Sequence, residues 1–280
     1  MFGWIHWDPS SEFLIVPFLQ IPITWYGVLF ATGFWLSFHI FTRMVQIAFK
    51  EKKKEDVTAF AEKLLLYVIL GTVIGARLGH IFFYEHPMAY LTHPLSIFKT
   101  WEGGLASHGA VLAIVFAVYL FSQRVKTEWS ELPFLKLLDY IAVPGMFIGF
   151  MIRVGNFFNQ EILGVSTDKP WGVVFGHPAD GSSVLPRHPA QLYEAFFYLG
   201  LFAFLAFLWY RKRDHLVPGR IAGVMLLSTF LFRFFIEFIK TEQSVWLDHT
   251  LLMGQFLSIP IIAIGTYLLI RKESFRRAID

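Results

Sequence analysis

The residues best suited to chemistry lie in one short run, RVGNFFNQEILG, at positions 153–164. It contains one cation, Arg153, two asparagines, Asn156 and Asn159, and one carboxylate, Glu161, and it continues directly from an apolar segment. A charge at membrane depth costs at least about 3 kcal/mol, so such residues usually face an internal cavity or a partner and mark a function. Arginine offers a permanent, forked cation that suits phosphate. The run therefore predicts an anion-binding site; the alternative is a structural ion pair that seals the helix end.

Other ionisable residues repeat at helical spacing within apolar segments. Arg233, Glu237 and Lys240 stand at i, i+4 and i+7 on one helix face, either as a second cation oriented by Glu237 or as a self-neutralising pair. Arg77 lies deep in another apolar segment, which favours a binding role or an internal ion pair. Tyr26 begins the first apolar segment, where an interfacial aromatic residue is also common.

Two further segments carry candidate site residues. His108 lies among glycines, which admit a substrate close to the backbone, and a neutral imidazole there can act as a general base. A purely structural histidine is the alternative. Gln191 and Glu194 share a helix face, and Glu194 is a possible partner for Arg153 or Arg233.

The composition excludes an ordinary soluble protein. The chain is 55% hydrophobic and only 16% charged, whereas average soluble domains carry about 25% charged residues. It contains no cysteine, so it has no disulfide, thiol catalyst or zinc ribbon, and no metal-ligand spacing or phosphate-binding loop appears. The sequence therefore predicts no metal site, and it shows no basic stripe of the kind that binds nucleic acid.

Seven stretches are long and apolar enough to span a bilayer, which needs about 20 residues: residues 23–41, 61–83, 105–121, 134–157, 192–210, 221–239 and 251–270. Lysine and arginine concentrate in the loops after the first, third and fifth stretches and in the carboxyl-terminal tail. By the positive-inside rule these segments are cytoplasmic. The prediction is an all-α polytopic membrane protein with seven transmembrane helices, its N-terminus outside (periplasmic) and its C-terminus cytoplasmic.

The longest external connection, residues 158–190, is rich in proline and glycine. Loops of this length in compact proteins are usually functional. We expect residues 1–280 to form a single integral membrane domain with a small external loop or head region, and the polar chemistry to lie in its external half. Asp139 and Lys63, near the cytoplasmic ends of their stretches, are interpreted either as a solvated pair or as interfacial groups.

A phosphate-bearing lipid is the natural ligand for such a site, because its tails stay in the bilayer while its head group meets the arginines. A soluble anion is the alternative, and a transporter of an anionic solute is the competing function. Transporters often have matching halves, into which seven spans do not divide equally. The residues alone leave the lipid and the nucleophile open.

The 153–164 run resembles the signature of bacterial phosphatidylglycerol–prolipoprotein diacylglyceryl transferases. Further blocks match that family in order along essentially the whole chain: WYG (25–27), GARLG (75–79), GGLASHG (103–109), RHPAQLYE (187–194), RFFIEF (233–238) and MGQ (253–255). The family is a seven-span enzyme of the bacterial cytoplasmic (inner) membrane. Three positions depart from its usual pattern: Thr24, Ala110 and Ile152. None of them removes a proposed catalytic group.

The resemblance implies that an sn-1,2-diacylglyceryl group moves from phosphatidylglycerol to the lipobox cysteine thiol of a prolipoprotein. The products are a thioether and glycerol 1-phosphate, and no cofactor is implied. The resemblance further implies that Arg153 binds the lipid phosphate and that Arg233, oriented by Glu237, assists it. His108, as base, and Tyr26 would lie nearest the thiol chemistry. The resulting set is completed by residues assigned to phosphatidylglycerol binding: Arg77, Asn156, Asn159, Glu161, Gln191 and Glu194.

Overall fold

The computed structural model describes residues 4–18, 21–84, 96–97, 107–241 and 252–272, without the side chains of residues 83, 84, 107 and 108. Within these ranges the chain is mostly helical. The α-helices are α1 Trp25–Ala48, α2 Lys54–Tyr84, α3 Ser107–Arg124, α4 Phe134–Phe158, α5 Ala190–Lys212, α6 Arg220–Ile236 and α7 Met253–Ile270. A 3₁₀ turn, Glu237–Ile239, follows α6 directly.

Each of the seven predicted stretches coincides with one of these helices. Six of the helices (α1, α2, α4, α5, α7, and α6 extended to Ile239) are long and apolar enough to cross a membrane. The seventh, α3, has a shorter apolar part, Gly109–Arg124. The described part of the chain is therefore that of a multi-pass, predominantly helical membrane protein, as the sequence predicts.

Five short strands outside the helices are a feature that the sequence reading did not anticipate. They are β1 Ile5–Trp7, β2 Glu12–Val16, β3 Ile21–Thr24, β4 Val173–Phe175 and β5 Pro186–Arg187. β4 pairs with β1 in parallel and with β5 antiparallel, while β2 and β3 form an antiparallel pair. The predicted head region thus includes the amino-terminal segment, because β1 completes the sheet of the 158–190 connection.

A small apolar core lies beneath this sheet. Phe157, Leu163, Val173 and Phe175 are buried together, and Trp7 packs against them. The indole nitrogen of Trp7 also donates a hydrogen bond to the main-chain oxygen of Phe157 (3.0 Å). The end of α4 is therefore fixed to the head by both apolar packing and a hydrogen bond.

The chain forms two compact units, Met1–Ile40 with Asp139–Asp280, and Phe41–Leu138. In the first unit α6 packs along α7 and α5. Asp139 is buried there, and its carboxylate accepts hydrogen bonds from the main-chain nitrogens of Gly219 (2.6 Å) and Ala222 (2.8 Å) at the start of α6. The interpretation of Asp139 as part of a solvated pair is therefore wrong: it is buried and caps a helix whose first N–H groups have no partner within the helix. Lys63 is exposed, as expected.

In the second unit α2 and α3 pack closely along their length. A Cβ atom added at Gly109 would lie 2.2 Å from the main-chain oxygen of Gly75, so the two helix backbones are in direct contact there. Gly109 was expected to admit a substrate close to the backbone. In the structure it admits a neighbouring helix instead.

Candidate active site

A chain of hydrogen bonds starts at Arg153 near the end of α4. Nη1 of Arg153 donates to Oδ1 of Asn156 (3.1 Å), and Nδ2 of Asn156 donates to Oε1 of Glu161 (2.7 Å). Nδ2 of Asn159 donates to the same Oε1 (3.3 Å). Because Arg153 and Asn156 are one helical turn apart, their side chains meet on one face of α4. Arg153, Asn156, Asn159 and Glu161 thus belong to one network.

A second carboxylate holds Arg153 from the side of α5. Oε2 of Glu194 lies 3.2 Å from Nε of Arg153, and its Oε1 lies 3.3 Å from Nζ of Lys240. Glu194 is completely buried, and the Arg153 side chain is 13% exposed. Oε2 of Glu194 has no hydrogen bond within the described residues, so its contact with Arg153 is an ion pair without hydrogen-bond alignment. Of the two partners predicted for Glu194, the structure shows Arg153.

Oε2 of Glu237 lies 3.8 Å from Nζ of Lys240. Among the described residues, Glu237 forms no ion pair with Arg233. Lys240 therefore lies between two carboxylates, Glu194 and Glu237. Ion pairs with this degree of burial hold geometry strongly, because removing one partner leaves an uncompensated charge.

The turn that carries Glu161 has an unusual backbone. Gln160 and Ile162, on either side of Glu161, have φ angles of 51° and 59°. Non-glycine residues rarely adopt this left-handed region, and for β-branched isoleucine it is strained. Such strain persists only where the surroundings fix the conformation, and it is common at functional sites.

Main-chain hydrogen bonds show what fixes it. The segment after Glu161 runs between the start of α5 and the end of α6: Gly164 donates to His188 (3.1 Å), and Val165 donates to Ile239 (2.9 Å). In addition, Nε2 of Gln191 donates to the main-chain oxygen of Glu161 (2.6 Å). The segment thereby brings Glu161 next to the helices that carry Glu194 and Lys240.

Tyr26 packs against α4 at Gly155. A Cβ atom at Gly155 would lie 2.8 Å from Cδ2 of Tyr26, so only glycine leaves room for the ring. The hydroxyl of Tyr26 interacts electrostatically with the charges of both Arg153 and Glu161. The start of α1 is fixed by Thr24, whose Oγ1 accepts a hydrogen bond from the main-chain nitrogen of Gly27 (3.1 Å). The departure from the family pattern at position 24 is therefore a helix cap.

Arg233 approaches the site from α6. Its side chain is half-buried, and it has no hydrogen bond or ion pair with any residue that the structure describes. It lies within electrostatic range of Tyr198, which also lies beside Arg153. Tyr198 was not predicted, although it stands one helical turn after Glu194 and thus on the same face of α5.

Two predicted site residues belong to the other unit of the chain. Arg77 is buried, and its guanidinium donates to the main-chain oxygens of Ile97 (2.8 Å) and Ser96 (2.9 Å). The side chain of His108 lies outside the described residues. Among the residues that are described, no group of three or more His, Asp or Glu side chains is arranged to hold a metal ion.

The helices and the buried charges define a class: a multi-pass membrane protein with a site of paired charges and carboxamides at the end of a spanning helix. Comparison with known sequences specifies it further. The sequence model of the prolipoprotein diacylglyceryl transferase family matches residues 14–271. The chain belongs to this family.

Similar proteins support the assignment over nearly the full length. The chain is 44% identical to the phosphatidylglycerol–prolipoprotein diacylglyceryl transferase of Chloroherpeton thalassium, covering 95% of this chain and 94% of that protein. It is 41% identical to the transferase of the same name from Tolumonas auensis, covering 93% and 95%. For that of Protochlamydia amoebophila the values are 32%, 98% and 96%.

Proposed function

We propose that the protein transfers the sn-1,2-diacylglyceryl group of phosphatidylglycerol to the lipobox cysteine of prolipoproteins. Its substrates are then one membrane lipid and one membrane-inserted polypeptide. The observation that carries the proposal is the guanidinium of Arg153, held between Asn156 and the buried Glu194 in a chain of the transferase family. An arginine oriented from two sides presents a preformed donor set to a phosphate.

In the proposed reaction the cysteine sulfur forms a bond to the glyceryl carbon while the bond between that carbon and a phosphate oxygen breaks. The bonding electron pair leaves with the oxygen, and glycerol 1-phosphate departs with one more negative charge. Arg153 and Arg233 stabilise this growing charge, as cationic clamps do in phosphoryl chemistry. The thiol proton passes to a base, a role that the family resemblance gives to His108.

The remaining candidates act as support. Asn156, Asn159 and Glu161 orient Arg153 and shape the polar face towards the lipid head group. Gln191 fixes the strained turn at Glu161, and Glu194 and Glu237 hold the cations. Tyr26 closes the face beside Gly155. Arg77 is proposed to contact phosphatidylglycerol as well.

The experiment combines purified protein, phosphatidylglycerol vesicles and a lipobox peptide. A diacylglyceryl mass gain on the peptide cysteine, with release of glycerol phosphate, is the expected result. Arg153→Lys keeps the charge beside Glu194 but loses the fork, so turnover should fall about 100-fold or more while thermal unfolding changes little. The exposed Arg124→Ala is the matched control and should retain full turnover. Wild-type activity in Arg153→Lys would remove the forked guanidinium from the mechanism.

We further propose that all seven helices span the bacterial inner membrane, with the amino terminus outside and the carboxyl terminus in the cytoplasm. The absence of cysteine makes this testable by single substitutions. Ser183→Cys in the head should react with a membrane-impermeant thiol reagent in intact spheroplasts. Lys126→Cys, after α3, should react only after permeabilisation. The reverse pattern would invert the topology.

A further inference from the structure

The head contains a pocket of about 280 Å³ to which the proposed reaction assigns no ligand. It lies where the amino-terminal segment, the residues just after α4 and the loop after β4 come together. Its walls are Pro9, Ser10, Ser11, Glu12, Phe158, Asn159, Gln160 and His177. The volume is close to the lower limit of small-molecule sites, about 300 Å³, and suits a small polar group or a short stretch of peptide.

The pocket is held in shape by contacts on two sides. The ring of Phe158 stacks on Trp25 and meets Trp7 edge-on, with centroids 5.1 and 5.3 Å apart. Oε1 of Gln160 accepts a hydrogen bond from the main-chain nitrogen of His177 (2.7 Å), and the left-handed backbone at Gln160 directs its side chain to that loop. A pocket with a fixed aromatic wall and a strained polar residue is a preformed feature rather than a gap between mobile loops.

The polar groups around the pocket select the chemistry of its ligand. The eight wall residues include a carboxylate, Glu12, two hydroxyls and two carboxamides, but no lysine or arginine. The imidazole of His177, the one wall group that can carry a positive charge, is engaged by Asp8, with its Nδ1 2.6 Å from Oδ1, so a phosphate meets no unpaired cation there. Hydroxyls and carboxamides instead complement the N–H and C=O groups of a peptide. The carboxylate of Glu12 attracts a basic side chain of that peptide and does not repel a neutral one.

Asn159 connects this pocket to the candidate active site. It forms part of the wall, and its Nδ2 donates to Oε1 of Glu161, which in turn accepts from Asn156. Two hydrogen bonds thus connect Asn159, in the wall of the pocket, to Asn156, which is the hydrogen-bond partner of Arg153. A substrate in contact with Asn159 lies beyond the end of α4, outside the span, on the same side as Glu161.

From this arrangement we propose that the pocket binds the polar peptide segment adjoining the acceptor cysteine of the prolipoprotein. This proposal rests on the proposed transferase function and assigns its second substrate a place on the head. The lipid phosphate stays at Arg153, while the extramembrane part of the polypeptide is held by main-chain hydrogen bonds and, where it is basic, by Glu12.

The test is a steady-state analysis in which peptide and phosphatidylglycerol are varied separately. Ser11→Phe fills the pocket from an exposed position, and we expect it to raise KM for the peptide about tenfold or more, equivalent to one lost hydrogen bond with a charged group or several neutral ones. KM for phosphatidylglycerol should stay within about twofold. Ser183→Phe, an exposed serine of the same head outside the pocket, is the matched control and should change neither constant.

Glu12→Gln provides a second test that keeps the shape of the side chain. It should raise KM for a peptide with lysine after the cysteine more than for the same peptide with glutamine there. Asp168→Asn, an exposed acidic residue of the head, should not discriminate between the two peptides. An unchanged peptide KM in both Ser11→Phe and Glu12→Gln would overturn the proposal. A rise in KM for phosphatidylglycerol alone would overturn it in favour of the lipid head group.

Failure of the transferase assignment is distinguishable from failure of this inference. If wild-type protein releases no glycerol phosphate, the proposed function fails, yet fluorescence anisotropy still measures binding of a labelled lipobox peptide. Binding that weakens in Ser11→Phe but not in Ser183→Phe would support the pocket in either case. Equal binding by the two variants would reject it.

Discussion

Replacing Glu194 by glutamine tests whether the site is organised by one buried carboxylate. Glu194 lies 3.2 Å from Arg153 and 3.3 Å from Lys240 and is inaccessible to solvent. Each pair has a gross Coulomb energy of about 5 kcal/mol at an effective dielectric constant of about 20. Desolvation offsets much of this energy in the intact pair, but removing one partner of a buried pair costs about 3–5 kcal/mol. Glu194→Gln, which keeps the shape, should lower the free energy of unfolding by that amount.

The assay compares midpoints of thermal unfolding in detergent at one scan rate, which orders the variants by stability even where unfolding is irreversible. If an unpaired lysine causes part of the loss, adding Lys240→Met should raise the midpoint of the double variant above that of Glu194→Gln, whereas independent sites would add their losses. The orientation of Arg153 should also relax, so turnover should fall even at temperatures where the variant remains folded. A Glu194→Gln protein that unfolds like wild type and gains nothing from Lys240→Met would refute the reasoning.

Three further predictions concern the elements around the site. Gly155→Ala should reduce thermal stability and turnover, because the new Cβ would lie 2.8 Å from the ring of Tyr26 and displace it. Gly145→Ala is the control: its Cβ would meet no atom within 4 Å, so it should be neutral or stabilise the protein by up to about 1 kcal/mol in unfolding assays. Asp139→Ala should lower the free energy of unfolding by about 1–2 kcal/mol through loss of a helix cap, with Asp139→Asn intermediate in the same thermal assay. The hydrogen bond from His177 is the main cause that holds the pKa of Asp8 below its usual value, with burial opposing it. Its contribution to head stability is therefore present above about pH 3.9 and lost as pH falls through the lowered pKa. Amide exchange in the head should show this acid dependence, and Asp8→Asn should weaken it.

The spanning helices were predictable because each is a long apolar segment between polar loops, a signal that needs no tertiary information. The small head sheet was not predictable in the same way. β1, β4 and β5 have three, three and two residues, too few to show alternation, and β1 pairs with a strand more than 160 positions away in the chain. Tertiary packing holds β1 and β4 together, because Trp7 of β1 and Val173 and Phe175 of β4 pack in one core with Phe157.

The site residues divide along a similar line. Charged residues within apolar segments are conspicuous in the sequence, so Arg153, Glu194 and Arg233 were identified by residue type alone. Their partners depend on which helices are neighbours. Helical spacing suggested that Glu237 orients Arg233, but the structure brings it to Lys240 instead. Tyr198 gave no signal, because a tyrosine in a spanning helix usually reports only an interface.

The hydrogen-bond polarity of the network explains why a carboxamide occupies position 156. Arg153 can only donate hydrogen bonds and an ionised Glu161 can only accept them, so the side chain between them must accept on one side and donate on the other. A carboxamide does both without adding charge, and the two neighbours fix which way it points: Oδ1 towards the guanidinium and Nδ2 towards the carboxylate. The same Oε1 of Glu161 also receives Asn159, whose side chain forms part of the wall of the head pocket. The orientation of Arg153, the cation proposed to bind phosphate, is thereby connected, through two amides and one carboxylate, to the place proposed for the second substrate.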